Sequence, residues 1–176
     1  MRKKSHISLA RYMVENLKDE ELKHHKFSFY LGSILPDIKP SFLYKRHEMD
    51  GTFPYVSRHI RRLSEGDALI RKKKGCKYYR DLGQISHYLA DYFTFPHNKT
   101  FDGTLRQHNS YEKHLKNELK AFVQEGKAEA YAAHVIRFET LNQLLEYIKV
   151  HHRRYMNCKR SVEEDIHYIL SVCYQV

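Results

Sequence analysis

The sequence predicts an all-α protein, and three observations carry that prediction. Only 7 glycines and 4 prolines are spread over 176 residues, too few breakers for a turn-rich β fold. Apolar residues recur at helical rather than alternating spacing along most of the chain. Two signatures, Thr140-x-x-Gln143 and Ser161-x-x-Glu164, read as capping boxes that open helices. The apolar fraction of 41% supports a real core. No repeat, low-complexity tract or Pro/Ser-rich linker divides the chain, so residues 1–176 read as a single domain of about six or seven helices.

Taken in order, residues 5–24 place Ile7, Leu9, Tyr12, Val14 and Leu17 near helical spacing, with charges between them. A break follows around Gly32 and Pro36, and the turn formers of LPDIKPS open a loop that runs to about Gly51. Residues 54–74 read as a helix with a basic outer face that closes on KKKG. Residues 81–95 are apolar nearly all round, the mark of a buried helix, which Pro96 stops. An amphipathic helix over 104–125 closes at Gly126, and the two capping boxes open helices over 141–156 and 162–175.

Composition excludes several classes. No apolar run reaches the ~18–20 residues of a membrane-spanning helix. The basic start MRKKSHISLARYMVENL lacks an uninterrupted apolar stretch, so the expected address is the cytoplasm. Cys76, Cys158 and Cys173 are odd in number and widely spaced, which argues against a disulfide framework or a thiolate zinc site. The formal charge of +10 favours polyanionic partners: phosphodiesters, nucleic acid or, through peripheral contact, an anionic membrane. Thirteen histidines invite a metal hypothesis.

The chemistry concentrates in the apolar helix. His87 and Asp91 are four residues apart and share a face. An aspartate among Ile85, Leu89, Tyr92 and Phe93 costs several kcal/mol unless it is paired or binds a cation. His108 and Glu112 repeat the spacing on the next helix, with His97 between, completing His87-x3-Asp91-x5-His97-x10-His108-x3-Glu112. Composition alone yields roughly one or two such His-x-x-x-Asp/Glu pairs by chance. His114 with Glu118 reads as an ordinary surface pair, so the ordered cluster carries the weight. Upstream, His6, Asp37 and His47 are further candidates, although Asp37 alone reads as a turn residue and His47 as a loop histidine.

The phrase GSILPDI (32–38), a following loop histidine, HYLADYFTFPHN (87–98) and HNSYE (108–112) resemble the bacterial zinc-dependent phospholipase C family. Its metal core is shared with fungal single-strand-specific nucleases. The resemblance covers His6 to Glu112 and implies an all-helical fold around two to three zinc ions. It implies that Asp37, His47, His87 and Asp91 hold one zinc; His97, His108 and Glu112 a second; and His6, with Asp91 bridging, a third. Asp37 would also be the general base, and the implied reaction is hydrolysis of a phosphodiester by a metal-bridging hydroxide. Secreted members expose a Trp at their mature N-terminus, whose amine and carbonyl complete one site. This sequence has no Trp, and Met1 is the candidate to supply those atoms. His59 is the runner-up to His47, because the interval from Asp37 is shorter than in better-known members. No added lipid-binding domain is evident, so action on intact membranes is not expected.

Competing readings remain. A single-strand nuclease on the same metal core suits the basic surface. A non-catalytic nucleic-acid-binding module rests on Lys72–Lys74 and on Arg58, Arg61 and Arg62. A di-iron bundle rests on Glu21-x-x-His24 and Glu164-x-x-His167. Tyr44, Tyr55, Tyr88 and Tyr92 are candidates to touch a base or a headgroup. His24, His25 and His151–Arg154 read as solvated, and His134 and His167 as core or semi-buried.

Overall fold

A computed structural model describes residues 1–38, 47–64 and 68–176, with the side chains of 68–74 left aside. Nine α-helices and no strand occur among the described residues: α1 (Lys3–Asn16), α2 (Glu20–His24), α3 (Lys26–Ile34), α4 (Met49–Ser64), α5 (Ala68–Tyr92), α6 (Leu105–Gln124), α7 (Glu129–Ala133), α8 (Leu141–Asn157) and α9 (Val162–Cys173). Single 3₁₀ turns, Leu35–Asp37 and Phe95–His97, follow α3 and α5. One apolar cluster extends from Met1 to Tyr174, centred on Phe29, Leu89, Phe93, Leu115, Ile148, Tyr155 and Ile169.

Local chemistry explains where the helices depart from expectation. The predicted helix over 5–24 is two, because Leu17 turns extended and the Asp19 carboxylate accepts the Leu22 N–H at 3.0 Å, capping α2. The predicted break before Pro36 conceals α3, whose Phe29, Gly32 and Ser33 face inward. The predicted helix over 54–74 is in fact α4 and the start of α5. Its expected stop at Gly75 appears as a kink, with that residue in the left-handed region at φ +36°. Thr140 forms its full capping box with Gln143, and Thr104 forms another with Gln107. Ser161 caps with its hydroxyl alone, accepting the Glu164 N–H at 3.1 Å.

One helix crossing decides the position of the site. α3 and α5 meet backbone to backbone through two glycines. A Cβ at Gly32 would lie 2.1 Å from the Arg80 carbonyl oxygen, and one at Gly83 would lie 2.3 Å from that of Phe29. This closeness sets the Ser33 carbonyl 2.8 Å from His87 Nδ1, which donates to it.

Several smaller expectations change. His151 and His152 are half-buried rather than solvated; His152 lies against Phe93 and Tyr155, with Nε2 3.2 Å from Asn98 Oδ1. His134 is exposed beyond the end of α7, whereas His167 is half-buried against Tyr131. His114 and Glu118 do form an exposed pair, 3.8 Å apart. Tyr44 lies outside the described residues, as do the side chains of Lys72–Lys74.

Candidate metal centre

Six separate stretches of chain deliver the candidate ligands. His6 comes from α1, Asp37 from the turn after α3, and His47 from just before α4. His87 and Asp91 come from α5, His97 from the turn after it, and His108 and Glu112 from α6. Three groups of donor atoms fall within 4.8 Å of one another: His6, His87 and Asp91; Asp37, His47 and His87; and His97, His108 and Glu112.

His87 is common to the first two groups, and Asp91 is 0% exposed. Its Oδ1 meets the Met1 amine and stands 3.3 Å from His6 Nε2. Its Oδ2 lies 2.9 Å from His47 Nδ1 and 3.2 Å from His87 Nε2. His87 Nε2 is also 3.6 Å from Asp37 Oδ1. Glu112 Oε1 is 3.1 Å from His97 Nε2, 3.3 Å from His108 Nε2 and 3.2 Å from the Met1 amine. His59, the runner-up to His47, lies beside Tyr55 and 3.4 Å from an Arg62 nitrogen, and it is His47 that falls in one of the three groups. The Glu-x-x-His pairs Glu21/His24 and Glu164/His167 enter none of these groups.

Electrostatics follow from crowding without water. Burial opposes charge on Asp91, but His97, the Met1 amine, His6 and His87 outweigh it and hold the carboxyl well below the usual range. Burial likewise opposes charge on Glu112, yet hydrogen bonds with His108 and His97 keep its carboxyl low. For Asp37 burial prevails, reinforced by Asp91, and its affinity for a proton rises. Burial pushes His6 and His97 down, so both imidazoles are neutral.

The donor set fits zinc. Neutral imidazoles and ionised carboxylates are what that ion takes. His6 provides the specific test: it is 1% exposed, its Nδ1 has no hydrogen-bond partner, and its Nε2 faces the Asp91 carboxylate at 3.3 Å without hydrogen-bond alignment. An unsatisfied buried imidazole costs free energy that a bound cation repays. A cleft of about 390 Å³ opens on the same residues, lined by Asp37, His47, His97, His108, Phe101 and Leu105. A larger cavity, about 1370 Å³ between α6, α7 and α9, contains none of these ligands. The chemistry rather than the size of the hollow therefore selects the site.

Against this geometry, the model of the zinc dependent phospholipase C family matches residues 5–162. The chain belongs to that family. The match includes His6 and every later candidate ligand, starts after Met1, and reaches well past Glu112, where recognisable motifs end. No curated protein and no solved structure matches the chain. Membership makes zinc dependence and hydrolysis the coarse properties of this phospholipase C relative. No helix among the described residues is long and apolar enough to cross a membrane.

Two supporting groups carry no sequence motif of their own. The Ser33 carbonyl fixes the His87 ring, so that Nε2 is the nitrogen turned toward Asp37 and Asp91. Asp165, 0% exposed on α9, accepts the Phe95 N–H at 2.9 Å and the Tyr155 hydroxyl at 2.7 Å, tying down the turn that carries His97.

Burial raises the Asp165 carboxyl from 3.8 to about 6. The native state therefore holds this proton more tightly than the unfolded chain does. The resulting contribution to stability is full below about pH 4 and is lost as pH rises through about 6. Asp165→Asn does not titrate. In chelator-treated protein the melting-temperature gap between variant and wild type is expected to move in the variant's favour from pH 4 to pH 7. A gap independent of pH would contradict this assignment.

Proposed function

We propose that the chain is a zinc-dependent phosphodiesterase of phospholipase C type, hydrolysing a phosphodiester on the headgroup side of a phospholipid. The observation that carries the reading is a fully buried Asp91, surrounded by imidazoles from α1, α5 and the stretch before α4 beside an open cleft. Two to three zinc ions are assigned. Asp37, His47, His87 and Asp91 would hold the first, and His97, His108 and Glu112 the second. His6, Asp91 and the Met1 amine would hold the third. When bound, zinc polarises a phosphoryl oxygen and makes water a nucleophile near neutral pH.

The protein's own groups supply the rest. Asp91 remains ionised and shared between neighbouring sites. Asp37, a cleft residue whose affinity for a proton is raised, is placed to take the proton of the attacking water at a carboxylate oxygen. Phe101 and Leu105 give the cleft an apolar wall. A nucleic-acid role finds less support, since Arg61 is held by Asn142 Oδ1 at 2.8 Å and Arg62 by Asp81 at 2.7 Å.

Purified protein is expected to hydrolyse a chromogenic phosphodiester and phosphatidylcholine, to lose both activities to a chelator, and to regain them with zinc. Chelator-resistant turnover would overturn the reading, and zinc-dependent cleavage confined to single-stranded DNA would transfer it to the nuclease alternative.

A further inference from the structure

We propose that the outer face of α3 docks the protein on an anionic phospholipid bilayer, at the mouth of the metal cleft. The backbone stays helical past α3, through the turn Leu35–Asp37 to Ile38 (φ −100°, ψ −29°). Within α3, Phe27, Leu31 and Ile34 are spaced four and three apart, so they form one stripe, and Ile38 follows just past the 3₁₀ turn. Phe27 is 75% exposed, Leu31 47% and Ile38 53%, with Ile34 half-buried. The opposite side of the same helix, Phe29, Gly32, Ser33 and Pro36, is buried against the rest of the fold. Ile38 stands one residue from Asp37, which lines the cleft. Leu105, 76% exposed, stands on the cleft as well.

Charge decides what covers this face. α1 packs beside α3 and exposes Lys3, Lys4 and Arg11. Lys26 lies 5.4 Å from the Phe27 ring centre. Of the nearby acids, Glu20 pairs with Lys23 at 2.7 Å and Asp19 caps α2, so Glu15 and Glu21 are the opposing charges along the helix, with Asp37 and Glu48 at its cleft end. Two copies of a chain carrying +10 repel each other. An anionic surface attracts the chain, and apolar side chains flanked by cations are what partitions into the headgroup boundary. The proposal departs from the expectation that intact membranes are not addressed. It deepens the proposed function by seating the cleft against the lipid diester, and in that purpose it rests on that function.

The test uses the full zinc-loaded chain in two assays run together. The first is co-sedimentation with vesicles of phosphatidylglycerol and phosphatidylcholine, or of phosphatidylcholine alone. The second is hydrolysis of a soluble chromogenic diester. Wild type is expected to pellet with the phosphatidylglycerol vesicles, and to do so less as salt rises. The double variant Phe27→Ser with Leu31→Asp is expected to bind roughly tenfold less or weaker still, since it removes two exposed anchors, at an unchanged soluble rate. A second variant, Lys4→Glu with Arg11→Glu, changes no apolar residue and is expected to weaken binding in low salt only. Wild type that stays in the supernatant, or variants that pellet as wild type does, would overturn the proposal. A dimer that F27S/L31D abolishes, without vesicle binding, would assign the face to a second copy and equally overturn it. Binding without soluble hydrolysis would remove the catalytic reading while the docking surface stands.

Discussion

Asp91→Asn is expected to remove turnover and at least one bound zinc together. Both oxygens of Asp91 are in use, Oδ1 toward the Met1 amine and His6 and Oδ2 toward His47 and His87. The amide keeps one of those oxygens and turns an N–H₂ group on the other pair. It also deletes the negative charge that the buried amine and cations require. Loss of the shared carboxylate is expected to lower the rate on a chromogenic diester by on the order of 10³-fold or more, the scale seen when transition-state charge stabilisation is removed. Metal analysis of the same preparation reads the zinc content. A variant with normal helicity, full zinc and full activity would remove Asp91 from the centre.

Gly83→Ala is expected to cost much stability for a small chemical change. The added methyl would lie 2.3 Å from the Phe29 carbonyl oxygen and 2.8 Å from the Ser33 nitrogen, both backbone atoms that cannot turn aside. Separating α3 from α5 is an overpacking cost of about 1–3 kcal/mol, or roughly 3 °C of melting temperature for each kcal/mol. The same shift carries the Ser33 carbonyl away from His87, so zinc affinity is expected to fall with stability. Gly51→Ala is the control: within α4 nothing stands within 4 Å of its new methyl, and removing a helix glycine is neutral or favourable. Equal melting temperatures for the two variants would contradict the role assigned to the α3–α5 contact.

The parts of the site that were legible in the sequence are those where ligand residues break a strong local pattern. His87 and Asp91 are conspicuous because the helix around them is otherwise apolar, and His108 and Glu112 because they repeat the spacing. The assignment of Asp37 and His47 needed the family resemblance, since a turn aspartate and a loop histidine have ordinary explanations. His59 lies on α4 with Tyr55 and Arg62 and enters none of the three donor groups, which its spacing from Asp37 did not foretell. α3 escaped the helical reading because Gly32 and Pro36 look like a break, whereas Gly32 is where another backbone touches. Asp165 and the Ser33 carbonyl had no local signal for their roles at the site, since the groups they hold there, Phe95 and His87, lie 70 and 54 residues away in the chain. The apolar stripe was hidden for the same reason as α3. Only a helix over Lys26–Ile34 brings Phe27, Leu31 and Ile34 onto one side.

The central claim is that acids and imidazoles from six stretches of chain form one zinc centre, and a crystallographic anomalous-difference map at the zinc edge measures it directly. Strong peaks are expected within coordination distance of Asp37, His47, His87 and Asp91, and of His97, His108 and Glu112, with a third beside His6 and the Met1 amine. A map of zinc-incubated crystals with no peak touching Asp91, or with zinc held only by surface histidines, would contradict it.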